Sequence, residues 1–251
     1  MLIIASPAFL LPNVSSASQE ITLIVAGIAA AFTIFEYAST HPGLIDFRFA
    51  PPYNRVRYTI FGVQVLSAVF LCRAEVGFDG FADSYLALAD QAVALTNLPF
   101  SPVALVSSVV GGQGDPPYQL LVTRAAALSF LVTFLALAGF ALFLWIIPWP
   151  IGRRDFNLWI NLPTFEPGYG RSVERRLYRD GLINIAAGVV LIYILPLIAG
   201  PLTTWFNPRA VGDYQGLVWG VTLWAFISGS MVIRGAAILK VSWLVRRTRR
   251  L

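Results

Sequence analysis

Histidine and cysteine are almost missing from this sequence of 251 residues: His41 and Cys72 each stand alone. One cysteine cannot close an intramolecular disulfide. One histidine leaves no zinc site with several His or Cys ligands, and no haem held by two histidines of the chain. Charge is scarce too. Asp, Glu, Lys and Arg make up 12% of the residues, about half the share found in soluble domains. Lysine occurs once, as Lys240. The motifs G-x-S-x-G, H-E-x-x-H, G-x-x-x-x-G-K-[ST] and G-x-G-x-x-G are all lacking, which removes the commonest hydrolase, metalloprotease and nucleotide-binding signatures.

What is plentiful is apolar. The hydrophobic share is 57% and the mean hydropathy +0.70. So little charge suits a chain whose main solvent is lipid. A transmembrane helix needs roughly 20 apolar residues. Five stretches qualify, over about 21–38, 58–72, 125–147, 182–205 and 214–241. The second is short, so Arg57 and Arg73 at its ends are expected to snorkel to the two interfaces. The third is the strongest, with Trp145 and Trp149 at its interfacial end and Pro148 and Pro150 stopping it. In the fourth, Pro196 cannot donate to the Ile192 carbonyl, and a kink is expected. The reading is an all-α, polytopic membrane helix bundle forming a single membrane domain over residues 1–251.

Two segments lie outside the spans. Residues 1–20 are apolar near the start but have no positive n-region, unlike a signal peptide. They read as a retained tail, interfacial or packed on a partner. Residues 73–124 open with Glu75, Asp79, Asp83 and Asp90. Asp83 or Ser84 is placed to cap an amphipathic helix running to about Asn97, with Tyr85, Leu88, Ala92 and Leu95 on its apolar face. Pro99 and Pro102 then break the chain, and 103–110 is too short to cross.

Orientation follows from charge. The connector 151–181 carries Arg153, Arg154, Arg171, Arg175, Arg176 and Arg179, and the chain closes on Arg246, Arg247, Arg249 and Arg250. Connectors this basic stay in the cytoplasm. Five spans then put the N-terminus outside and the C-terminus inside. The outer connectors hold Arg73, Arg124 and Arg209 against seven acids. A sixth span over 85–110 would place Asp90 in lipid, which is costly.

The candidate site residues each carry a bland alternative. Glu36 and Arg234 lie near the cytoplasmic ends of their spans and are expected to form an intramembrane charge pair, with Glu36–Arg57 as the alternative, as functional candidates or as a structural bridge. The arginines at 153, 154, 171, 175, 176, 179, 246 and 247 suit anionic lipid head groups or a partner, besides setting topology. Gly216 and Gly220 form a G-x-x-x-G pair for close helix packing. Lys240 invites a retinal Schiff base, but five spans and the arginines that follow place it at an interface. His41 reads as a turn residue and Cys72 as a packing residue. No catalytic, metal or cofactor residue is assigned, although bound lipids or pigments fit the composition. Nucleic acid is excluded as a partner, because the basic residues hug the bilayer.

The functional expectation is a non-catalytic accessory or scaffold subunit of a larger complex in a bacterial inner membrane, with other integral subunits as partners. An energy-transducing complex, photosynthetic or respiratory, is one host that fits. A small transporter or channel comes second. An enzyme acting on lipids through Asp79, Asp83 or Asp90 comes third.

Overall fold

The computed structural model describes residues 1–12, 14–40, 43–77, 80–110, 112, 115–150, 158–163, 173–205 and 214–248. Among them the regular elements are all helices: α1 (Leu2–Leu10), α2 (Ser16–Ala38), α3 (Tyr53–Glu75), α4 (Ala82–Thr96), α5 (Pro102–Val109), α6 (Pro116–Ile146), α7 (Leu158–Asn161), α8 (Val173–Trp205) and α9 (Tyr214–Thr248). Five of them, α2, α3, α6, α8 and α9, are long and apolar enough to cross a membrane. Their starts lie outside the purely apolar windows because capping, not hydropathy, sets a helix end. Ser15 accepts from the Ser18 amide and begins α2. Asp115 accepts from the Tyr118 amide, with Pro116 at the first helical position, and so takes Arg124 into α6.

The five long helices run up and down. One end of the bundle gathers the close of α2, the start of α3, the close of α6, the start of α8 and the close of α9. This is the arginine-rich end. The opposite, acidic end holds α1, α4, α5 and the start of α6. The arginines at 153, 154, 171, 249 and 250 lie outside the described residues, as do His41 and Asp79.

Two cores stack along the bundle. Toward the acidic end, Val65, Leu71 and Cys72 of α3 pack with Val122 and Ala126 of α6, Val218 and Trp224 of α9, and Ala89, Ala92, Val103 and Val106 of α4 and α5. Toward the basic end, Phe47, Tyr53, Phe140, Trp149, Ile233 and Ile238 form the second. The remaining apolar side chains, such as Ile28, Phe32, Leu135, Val190 and Leu197, are exposed on the outer faces of the spans, where a bilayer would solvate them.

Three expectations need correcting here. On α4 the buried residues are Ala89, Ala92 and Thr96, whereas Leu88 and Leu95 are exposed. Small side chains let α4 approach its neighbours closely, and the bulky ones are left on the outside. Neither Asp83 nor Ser84 caps it; Phe81 holds the N-cap position with no side-chain bond. Arg73 does not snorkel away either: it donates to the Leu10 carbonyl at 2.9 Å and so caps the C-terminus of α1. The N-terminal tail is thereby a helix packed on α3, with Ile3 lying over Gly62.

Candidate functional site: buried polar groups at the basic end

The loop between α2 and α3 closes the basic end. Glu36, buried in the last turn of α2, accepts from the backbone amides of Gly43, Leu44 and Ile45 at 3.2, 3.2 and 3.4 Å. Arg48 turns back over the same helix end and donates to the carbonyls of Glu36, Tyr37 and Ser39. It thereby satisfies carbonyls that the helix leaves free, with its guanidinium over the rings of Tyr37 and Phe49. The loop is pinned from the other side as well. Asn161 accepts from the Phe47 amide through its carbonyl and from the Phe49 amide through Oδ1. Trp149 donates to the carbonyls of Ala50 and Pro51. Phe47 takes a left-handed φ of 53°, uncommon for a bulky residue, and is fully buried against Tyr53 and Trp149.

This loop carries the acid that meets Arg234. Arg234 Nε donates to Asp46 Oδ2 at 2.6 Å, and Nη1 to Asn184 Oδ1 at 3.0 Å. The expected Glu36–Arg234 pair is therefore replaced by Asp46–Arg234, joining loop, α8 and α9. Glu36 is bound instead by its own following backbone. Asp46 lies in a connector, so a search confined to spans passes over it.

One turn deeper, Arg57 turns inward instead of toward the interface. Its Nε donates to Ser230 Oγ at 2.6 Å, and its guanidinium carbon lies 5.4 Å from the centre of the Tyr53 ring. Deeper still, Gln64 donates to Thr133 Oγ1 at 2.6 Å and to the Ser129 carbonyl at 3.3 Å. Gln64 Oε1 and Ser129 Oγ are buried without a hydrogen-bond partner, and Tyr53 Oη has none but Arg57. Polar groups thus run inward from the basic end along α3, α6 and α9.

The other predicted residues fall as follows. Arg175, Arg176, Arg179, Arg246 and Arg247 lie at the basic end on α8 and α9. Arg246 faces Glu174 at 3.8 Å, and Arg179 faces Asp180 at 3.5 Å. Lys240 donates to the Leu144 carbonyl at 2.5 Å, in the last turn of α6, and sits with Arg247 against Trp243.

Gly220 does not mediate close packing within the bundle: it is exposed, as Gly216 is, and a methyl group on it would meet nothing within 4 Å. The close approach lies further along. A methyl on Gly188 would come within 2.6 Å of the Ser228 carbonyl, and one on Gly235 within 2.6 Å of the Gly181 carbonyl. Gly181 and Gly188 are two helical turns apart and so share a face; that seven-residue spacing is the sequence signal which a search for G-x-x-x-G misses.

At the acidic end, Arg124 grips Asp90 in fork geometry at 2.7 and 2.8 Å and reaches Glu75 at 3.3 Å. The Arg124 hydrogen bonds hold the Asp90 carboxyl below its ordinary range, with slight burial opposing them. Asp90 is thus committed to an ion pair. Among the described residues no three His, Cys, Asp or Glu side chains gather as a metal site requires. No family model, curated protein or solved structure matches this chain.

Proposed function

We propose that this chain is a non-catalytic structural subunit of a larger assembly in a bacterial inner membrane, with its arginine-rich end in the cytoplasm and its N-terminus outside. The observation that carries the reading is the packing of α2. This 23-residue helix buries only Thr22, Ala26 and Glu36. Thr22 meets Gln215 of α9 at one end, and Glu36 holds the loop at the other. Between them Ile28, Phe32, Ile34 and Phe35 are exposed, and Gly27 borders open space. A helix fixed at both ends but little packed along its length offers a flank to another membrane helix, and small residues favour that approach. The orientation is supported by the charge asymmetry of the connectors. Arginines at 175, 179, 246 and 247 supply contacts for anionic head groups on that side.

A photo-crosslinking residue at Phe32, with purification in mild detergent, tests the assignment. The expected result is a discrete crosslinked membrane protein and co-purifying subunits. A lone, monodisperse chain at every stage overturns it.

A second reading, a small transporter or channel, draws on the unpaired acceptors of Gln64 and Ser129 in the bundle interior. Solute flux in proteoliposomes, abolished by Gln64→Leu, would favour it over the first.

A further inference from the structure

The charges at the basic end do not balance around Arg57. Every described acid there is already bound. Glu36 takes three backbone amides, and Asp46 takes Arg234. Glu174 faces Arg246, and Asp180 faces Arg179. Arg57 has no carboxylate within ion-pairing distance among the described residues. A guanidinium offers five N–H donors. One is engaged by Ser230, the Tyr53 hydroxyl lies within reach of another, and no carboxylate among the described residues takes the rest. The position is not a free surface end. Arg57 lies on a spanning helix, about 6 Å of helical rise beyond Tyr53. The next turn of the same face, Phe61, packs on Phe226 and Trp219 of α9. Beside the guanidinium, the Tyr53 hydroxyl is fully buried and has no partner but Arg57.

An ionised group inside a membrane bundle is costly unless paired, and such residues mark binding sites. Guanidinium donors match the oxygens of a phosphate in a fork. We propose that Arg57, with Ser230 holding its Nε and the Tyr53 hydroxyl beside it, binds the phosphodiester of a phospholipid from the leaflet that meets the basic end. The site differs from the surface arginines of α8 and α9. It reads the phosphate common to phospholipids rather than net head-group charge, so zwitterionic and anionic lipids both occupy it. The counter-charge missing from the protein comes from the lipid. The acyl chains lie along the apolar side chains beyond, where Leu223 and Ile227 of α9 are exposed.

Native mass spectrometry of the full chain in mild detergent tests this with phosphatidylglycerol, phosphatidylcholine and inorganic phosphate as separate probes. The wild type should retain one phospholipid of either kind. Arg57→Gln should weaken retention about tenfold, the loss of one charge-assisted hydrogen bond. Arg55→Gln, at an exposed arginine two residues earlier on α3, should leave that lipid in place. Ser230→Ala keeps the charge but frees its Nε, and should weaken retention less, with helicity unchanged. Equal retention by wild type, Arg57→Gln and Ser230→Ala overturns the proposal. So does Arg57-dependent binding of inorganic phosphate without Arg57-dependent lipid retention, because it would make the ligand a solute anion.

Discussion

The indole Nε1 of Trp224 on α9 donates to the carbonyl oxygen of Ile192 on α8 at 2.7 Å. Pro196, four residues on, has no amide hydrogen to give that carbonyl, and no water inside a bilayer would replace it. One side chain thus completes a neighbouring helix, and α8 runs on through Pro196. Trp224→Phe should destabilise the protein by about 1–3 kcal/mol, the cost of an unsatisfied buried acceptor. In a Pro196→Ala background the carbonyl regains its helical donor, and the same change should cost measurably less. Thermal unfolding of the four proteins in detergent gives the coupling; additive effects would refute it.

The α8–α9 seam depends on glycine where backbone meets backbone. Gly188→Ala and Gly235→Ala should each cost about 1–3 kcal/mol, as overpacking does, because backbone atoms of the facing helix cannot yield. Gly220→Ala should be neutral. Thermal shifts in detergent separate the two classes.

These contrasts mark how far the sequence alone reaches. Five spans, the short helix α4 and the Pro196 defect are all legible from hydropathy, turn residues and the missing proline amide. Partners are not. Hydropathy gives no register between helices, so the pairing of Arg234 with Asp46 instead of Glu36 has no sequence signature, and neither does the inward turn of Arg57. A search for G-x-x-x-G finds Gly216 and Gly220 because spacing says nothing about which face meets a neighbour. Polar caps are legible in principle: Ser15 and Asp115 are ordinary N-cap residues, each lying ahead of the uncharged stretch of its helix.

Arg234→Gln should remove the cation that faces the buried Asp46 carboxylate and cost about 3–5 kcal/mol. Asp46→Asn added to it should recover part of that loss. Glu36→Gln should not, since Glu36 is held by Gly43, Leu44 and Ile45. Recovery by Glu36→Gln instead would show the wrong pairing.

The Asp90–Arg124 pair predicts a response to acid. Because Asp90 titrates lower when folded, its contribution is whole above about pH 4, the unfolded carboxyl value. It disappears as pH falls through the lowered folded value. Exposure of Asp90 keeps the effect small and salt-sensitive. The melting temperature of wild type and Asp90→Asn should differ at neutral pH and converge in strong acid; a gap that widens on acidification would contradict the sign.

Accessibility of single cysteines in intact cells tests the topology most directly. Native Cys72 is buried, so an introduced thiol reports cleanly. A membrane-impermeant maleimide should label Asp83→Cys from outside and reach Arg175→Cys only after the membrane is opened. Labelling of both from the same side would contradict the arrangement on which the proposed role rests.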